Sequence, residues 1–359
     1  MKILFIHLLN NYTGSPKVLS QEIKLIQEKD EDYEISLLTS NTEGFLSNIN
    51  GITYYYNGYK WINNKVLLTF LFFISQIQMF FFILLHSKFD IIYINTVVPF
   101  GAALAAKIKN MKIIYHVHEV YINPGFVKKF YSWVMNKCTS KVICVSNYVK
   151  DNVNFKGSVV VYNPAEKTEW PKNLDLYLKQ KFERKLIFMP TSLKKYKGVF
   201  QFVELARLMP DFDFLLLCST ELSEMQKFFS ETNLPKNLTL IGKQKSLEKF
   251  YREATISMNL SLYDKCIETF GLTVLESFDA LVPAVAPNYG GPKEIIQDGI
   301  NGFLVDSYNL TQICECIQRI ISDFRTYKNF ALNARKRAED FCKENFLSGI
   351  ETILESLGN

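Results

Sequence analysis

The chain has 359 residues, 48% of them apolar and 21% charged, and carries a net charge of +5. This is a globular composition, with no low-complexity tract or short-period repeat, and the length suits two domains that each bury their own core. The charge is uneven: residues 1–165 hold 16 Lys and no Arg against 10 Asp and Glu, a surplus of +6, and the remainder stands at −1. A basic first half suits an anionic partner, such as a membrane surface or a lipid phosphate, or serves solubility alone. The lysines are scattered and show no basic–aromatic recognition motif, which argues against nucleic acid. Seven cysteines (138, 144, 218, 266, 314, 316 and 342) form no CxxC pair and no zinc spacing. They read as reduced core thiols of a cytosolic protein. The opening MKILFIHLL is too short and too strand-like for a signal peptide.

From the N-terminus, KILFIHLL (2–9) reads as a buried strand, residues 10–17 as a loop carrying Gly14, and VLSQEIKLIQ (18–27) as a helix. EISLLTS, DIIYINT, KIIYHVH and KVICVS follow as strands, with helical patterns at 99–108, 125–138 and 147–154 between them. Strands alternating with helices predict a parallel, doubly wound sheet. The first loop lacks G-x-G-x-x-G, which counts against a dinucleotide enzyme.

Residues 66–85, VLLTFLFFISQIQMFFFILL, are uncharged and long enough to cross a bilayer. Ser75, Gln76 and Gln78 interrupt the stretch, and crossing there would split one sheet between two sides of a membrane. The expectation is a membrane-facing helix, with Trp61, Lys60 and Lys65 at the interface, or a fully covered core helix. The strand at 112–118 ends in His116, Val117, His118 and Glu119. Alternation puts both histidines on one face, with His118 near the carboxyl end, where ligands bind in open α/β sheets. A metal pair is a poor reading, because no third ligand has suitable spacing.

The polar segment 166–185 reads as a link between domains. A second α/β unit begins at LIFMP (186–190), and Lys197 and Gly198 precede a helix, where a lysine is a natural diphosphate clamp or an ordinary solvated cation. DFD (211–213) reads as a turn before a strand, and LTLIGKQ (238–244) as a strand and loop. Helices are expected at 309–322 and 325–344, and FLSGIETILESL as a last amphipathic one.

The stretch ETFGLTVLE (268–276) sets two carboxylates eight positions apart round a Phe-Gly-Leu step. The residues before it read as a buried strand and those from Gly271 as a helix, so the amides of Phe270 and Gly271 open an anion site. Glu268 then lies before the helix N-terminus and Glu276 inside the helix. A diphosphate at the helix start, with a hydroxyl-bearing group on each carboxylate, fits this layout. The same spacing also fits a dipole partner and a solvated helix residue.

ETFGLTVLE, then VPAVAPNYGGPKEII (282–296) and DGINGFLV (298–305), closely resembles the signature of the family 4 retaining glycosyltransferases, glycosyl transferases group 1. The likeness extends more weakly over nearly the whole chain. It implies an α/β protein with two Rossmann-like doubly wound domains facing a cleft, the GT-B architecture, and a C-terminal helix crossing back to the first domain. The implied domains are 1–165 on the acceptor side, 166–342 for the nucleotide sugar, and the helix 343–359.

The resemblance further implies that Glu268, with the backbone of Phe270, Gly271 and Leu272, orients the donor sugar. Glu276 would take ribose hydroxyls, Lys197 the diphosphate, Gly242 and Lys243 the base, and His118 the sugar, while His116 stays structural. Gly14 and Ser15, with Lys17, correspond to the family's glycine-bearing loop. The family's clamp has Arg where this chain has Ser192, a lost cation for which Lys194 or Lys195 could compensate. No metal and no cofactor are implied, and front-face attack by the acceptor is the family's usual mechanism.

The expected enzyme is therefore a retaining, metal-independent hexosyltransferase. It would move sugar from a nucleotide-diphosphate sugar to a glycan or lipid-linked glycan in surface-polysaccharide synthesis. Its expected place is the cytoplasm, with a peripheral contact on the inner face of the plasma membrane. A catalytically weak donor-binding or scaffold subunit is the rival that Ser192 favours. A nucleotide-sugar epimerase or a phosphorylase is disfavoured by the Glu268 and Glu276 match.

Overall fold

Short runs of Ile, Leu, Val and Phe bounded by turn residues make strands covered on both faces, the pattern a parallel sheet requires. The computed structural model describes residues 1–29, 33–86, 88–120, 124–166, 168–169 and 171–358. Two units result: Met1–Asn163 with Glu344–Asn359, and Pro164–Lys343.

The first unit runs β1 (Lys2–Ile6), α1 (Gly14–Lys29), β2 (Glu34–Ser40), β3 (Thr53–Asn57), α2 (Lys65–Leu85) and β4 (Ile91–Asn95). It continues with α3 (Phe100–Ile108), β5 (Lys112–Val117), α4 (Gly125–Cys138), β6 (Lys141–Cys144), α5 (Asn147–Asn152) and β7 (Val159–Val160). The strands pair in the order β3-β2-β1-β4-β5-β6-β7, all parallel. Ile3 stands between Ile35 and Ile91 in register.

The second unit holds α6 (Leu174–Arg184), β8 (Leu186–Thr191), α7 (Val199–Leu208), β9 (Asp213–Cys218), α8 (Leu222–Phe228), β10 (Leu238–Ile241) and α9 (Glu248–Glu253). Then come β11 (Ile256–Met258), α10 (Leu272–Asp279), β12 (Ala284–Pro287), α11 (Pro292–Ile295), β13 (Gly302–Val305), α12 (Leu310–Ile320) and α13 (Phe324–Glu339). Its order is β10-β9-β8-β11-β12-β13. Each sheet therefore reverses direction once, between β1 and β4 and between β8 and β11. Such a reversal opens a crevice at the carboxyl ends of the strands.

The last helix, α14 (Lys343–Gly358), belongs to the first unit. Glu351 pairs with Lys29 there, and a side chain at Gly349 would press on Val161 at 3.1 Å. This is the crossing-back helix that the resemblance implies.

Four local expectations need correction. The glycine-bearing loop is shorter than read, because Gly14, Ser15 and Lys17 already lie in the first turn of α1. The strand β3, TYYYN, is absent from the sequence reading. It is a half-exposed sheet edge rich in Tyr, with no apolar run to announce it. The link at 166–185 contains helix α6, anchored by buried Leu178 and Lys181; residues 167 and 170 of that link lie outside the described residues. The stretch 66–85 is not a covered core helix. It is one helix, long and apolar enough to cross a membrane, that buries only Ser75, Gln76, Met79 and Ile83.

Candidate active site

In the second unit the loops after β8 and β11 meet beside the start of α10. The chain leaves β8 through Ser192 and Leu193 into a single 3-10 turn, Lys195–Lys197, closed by Gly198 at φ 75°. A Cβ at Gly198 would lie 2.2 Å from the Leu260 carbonyl oxygen, so only glycine lets the two loops approach so closely. The Leu262 amide bonds the Tyr196 carbonyl at 2.8 Å and ties the loops together.

That juncture brings Lys197 onto Glu268. Nζ lies 2.8 Å from Oε2, and the same oxygen accepts longer bonds, 3.4 Å each, from Asn259 Nδ2 and Ser261 Oγ. Burial pushes the Glu268 carboxyl up, but the Lys197 charge and these hydrogen bonds outweigh it and hold the group below its ordinary value. Burial likewise works against the Lys197 ammonium, and attraction to Glu268 overrides it and raises the pKa. Both groups are thus charged at neutral pH.

The Gly290 and Gly291 turn fixes the backbone of the same segment. The Gly291 amide donates to the Glu268 carbonyl at 2.8 Å. A Cβ on Gly290 would meet that oxygen at 2.2 Å, and one on Gly291 would meet Phe270 Cα at 2.3 Å. Phe270 is buried with its ring against Phe341, and Gly271 caps α10 at φ 108°. The amides of Leu272 and Thr273 follow in the first turn, where a helix has no acceptor four residues back. At the other end of α10, the buried Lys181 Nζ donates to the Ala280 carbonyl at 2.7 Å, and Arg335 bonds Asp279. A helix gripped at its C-terminus presents its N-terminus in a fixed direction.

Glu276 is held by Tyr251, a residue that sequence reading missed. The buried Tyr251 hydroxyl donates to Glu276 Oε2 at 3.0 Å and also reaches the Thr273 carbonyl at 3.1 Å. Burial, reinforced by the Glu276 charge, raises its pKa well above the phenol range, so it remains a donor. Asn259 and Ser261 were missed as well. Their position just beyond β11, next to the sheet reversal, is the signal that could have found them.

Other expected positions lie elsewhere in the second unit. Ser192 offers its carbonyl to the Lys194 amide at 2.7 Å, Lys194 is exposed, and Lys195 lies over the Phe200 ring at 5.9 Å. The Lys243 amide bonds the Thr220 carbonyl at 2.7 Å, and a Cβ on Gly242 would touch Leu222 N at 2.7 Å, so this turn braces the ends of β9 and β10. Asp213 of DFD pairs with Arg184 at the start of β9. Among the described residues, no three His, Cys, Asp or Glu side chains group as they would round a metal ion.

The sheet reversal of the first unit carries a different cluster. His118 Nε2 lies 2.8 Å from Asn95 Oδ1. Asn95 Nδ2 sits 3.1 Å from the Ser15 carbonyl and 3.1 Å from His7 Nδ1. The Ser15 carbonyl can only accept, so the Asn95 nitrogen faces it and the Asn95 oxygen faces His118. His118 therefore carries its proton on Nε2 and leaves Nδ1 as an acceptor. Burial drives His118 well below the ordinary histidine value, so the ring is neutral. His116 lies beneath it, fully buried, with Tyr93 Oη at 3.0 Å and Glu22 at 3.3 Å. Gly14 lies in the same turn of α1 as Ser15.

Two doubly wound sheets, with a glycine-tightened turn and a lysine–carboxylate pair at the second reversal, define the class of a GT-B glycosyltransferase. Family models agree. Residues 174–337 match "Glycosyl transferases group 1" and residues 27–166 match "Glycosyltransferase Family 4". The chain belongs to this family. An uncharacterized glycosyltransferase of Methanocaldococcus jannaschii is 23% identical over the whole chain and 99% of its own length. The poly(glycerol-phosphate) alpha-glucosyltransferase of Bacillus subtilis is 25% identical over 35% of this chain and 18% of its own. Among solved structures, an Anabaena protein in complex with UDP and glucose superposes with a TM-score of 0.79 at 18% identity, over 99% of this chain and all of that one. The sucrose-phosphate synthase of Thermosynechococcus elongatus gives 0.80 at 15% identity, over 99% of both chains.

Proposed function

We propose that the chain is a retaining, metal-independent hexosyltransferase. It moves a sugar from a nucleotide-diphosphate sugar to a glycan or lipid-linked glycan acceptor in surface-polysaccharide synthesis. The observation that carries this reading is the Lys197–Glu268 pair, set beside the first turn of α10. Because Lys197 neutralises Glu268, a diphosphate can approach the helix start without meeting a net negative charge. Lys197 and the amides of Gly271, Leu272 and Thr273 then carry the charge that develops on the leaving diphosphate. Glu268 accepts sugar hydroxyls, and Glu276 accepts ribose hydroxyls. The acceptor hydroxyl attacks from the face the diphosphate leaves and passes its proton to the departing oxygen. The UDP and glucose bound to the Anabaena neighbour, and the polymer acceptor named for the Bacillus subtilis relative, support this choice of substrates. A lipid-linked acceptor would bring the basic first unit to the inner face of the plasma membrane as a peripheral contact.

Ser192 favours a second reading, a subunit that binds donor but turns it over weakly, since no guanidinium stands beside Lys197 on that loop. One series separates the two. UDP-, GDP- and ADP-sugars are screened by thermal shift, and the best donor is then given acceptors in the presence of chelator. Donor at about 100 times its Kd stabilises by about 2.7 kcal/mol, a rise of about 5–10 °C. Transfer with retention of the anomeric configuration establishes the enzyme, and binding without transfer establishes the weak subunit. If no nucleotide sugar raises the melting temperature, both readings fall.

A further inference from the structure

Helix α2 buries two polar side chains, Ser75 and Gln76, and leaves most of its apolar ones bare. Gln76 Oε1 accepts the Gly101 amide at 3.1 Å, and Oε1 of the exposed Gln78 accepts the Gly58 amide at 2.9 Å. Its outward stripe is Val66, Phe70, Phe73, Ile77, Phe81 and Leu85, spaced by three and four residues, with Phe70 60% and Phe73 54% exposed. A helix facing water shows the reverse distribution. At about 1.5 Å per residue it presents about 31 Å of apolar ridge.

The ridge does not end at α2. Right-handed crossovers from β3 through β4 and β5 to β6 place α2, α3 and α4 on one face of the sheet. Rings bridge them: Phe72 contacts Phe100, and Phe100 contacts Phe130, which stacks near Trp133. On α4 the exposed stripe is Phe126, Lys129, Phe130, Trp133 and Lys137. These three helices contain no Asp or Glu, and their charges are Lys65, Lys107, Lys128, Lys129 and Lys137. Apolar bodies with aromatic and basic margins are the composition of an interfacial helix.

We propose that α2 and α4 form a membrane-docking face that lies in the plane of a bilayer containing anionic lipid. The phenylalanines seat among the acyl chain ends, Trp133 lies at the headgroup level, and the lysines meet lipid phosphates. Charge selects this occupant over a second copy of the chain. A two-fold contact sets the face against itself, and there the lysines would find no carboxylate on α2, α3 or α4 to meet. Packing selects docking over crossing. A Cβ on Gly101 would lie 2.1 Å from the Gln76 carbonyl oxygen, so α2 is seated on α3 at backbone contact and bonded to Gly58 and Gly101.

The inference rests on the lipid-linked acceptor proposed above, and its test reads binding alone. An active enzyme that ignores vesicles, and a docking protein that glycosylates only soluble acceptors, are thereby told apart. The full chain is sedimented with phosphatidylcholine vesicles and with equimolar phosphatidylcholine and phosphatidylglycerol vesicles. The expected result is binding to the anionic vesicles, weakened by salt. Phe70→Ser with Phe73→Ser and Ile77→Ser should lower the partition coefficient at least about 10-fold and leave the donor-induced thermal shift unchanged. Lys129→Glu with Lys137→Glu should weaken anionic binding by about 10-fold. Quenching of Trp133 by bilayer-embedded bromolipids, with Trp61 and Trp170 replaced by Phe, checks the same contact should the serine chain fail to fold. A wild type left in the supernatant, serine variants that bind as well as wild type, an unquenched Trp133, or a serine-sensitive dimer indifferent to vesicles would each overturn the proposal.

Discussion

At the reversal of the first sheet the polar groups are neutral. His7, Asn95 and His118 pass hydrogen bonds among themselves, and burial keeps both imidazoles uncharged at pH 7. At the reversal of the second, after the same strand order, Lys197 and Glu268 face each other as full charges. Backbone topology therefore supplies the same crevice twice, and side-chain chemistry makes the two unlike. A neutral donor–acceptor chain can orient a hydroxyl without drawing in ions. A balanced ion pair can exchange a carboxylate partner for phosphate at small cost, because Lys197 remains paired throughout.

Breaking the ion pair should have the largest effect. Lys197→Ala takes the ammonium away from Glu268 and from the place proposed for the diphosphate. Turnover should fall about 10³-fold, with Glu268→Ala adding much less than its own single effect when the two are combined. Initial rates of transfer measure this, and a Lys197→Ala enzyme within about 3-fold of wild type would remove the pair from the reaction.

The neutral cluster should reveal itself through pH. Burial outweighs hydrogen bonds to Asn95 and Leu9 and lowers His7 to about 4 from its ordinary 6.5. Between those values the unfolded chain binds a proton that the folded chain refuses, so stability is full above about 6.5 and drains as pH falls. From pH 7 to pH 5 the loss is about 2 kcal/mol. Glu119, which burial raises to about 7, acts in the opposite sense over the same window and is common to both proteins compared. His7→Gln should therefore gain about 2 kcal/mol on wild type between pH 7 and pH 5. Hydrogen exchange of the β1 and β4 amides, corrected for intrinsic rate, reads this gain, while the β8 and β11 amides should show no difference between the two proteins. Equal slopes for β1 and β4 in the two proteins would mean that His7 is charged.

Sequence made one half of this contrast far more legible than the other. ETFGLTVLE and the Gly290 and Gly291 turn are local signals: a helix start, a carboxylate on each side, and glycines whose necessity follows from close backbone approach. Lys197 could be named from its loop, but not as the partner of Glu268, because 71 positions separate them and only the sheet order brings β8 beside β11. Asn95 is silent in sequence for the same reason. A single Asn at a strand end has no periodicity, and its value comes from Ser15 fixing its orientation. The outward face of α2 was equally ambiguous, since an uncharged run of 20 residues reads alike whether the neighbouring helices cover it or leave it bare. The edge strand β3 escaped because three consecutive tyrosines are neither clearly apolar nor turn-forming.

The smallest effect tests how far preorganisation extends along α10. Glu276→Ala should raise donor KM about 10-fold and leave kcat near wild type, the signature of uniform donor binding. Tyr251→Phe keeps the ring packed against Phe188 and removes only the hydroxyl that holds Glu276. Glu276 would still bind ribose but would lose one of the bonds that order it, so KM should rise about 3-fold, with nucleotide affinity falling in parallel. The two changes together should cost no more than Glu276→Ala alone, since the hydroxyl acts through that carboxylate. Calorimetry with the free nucleoside diphosphate on all three variants decides the matter: an additive double variant would show that Tyr251 contacts the nucleotide itself rather than positioning Glu276.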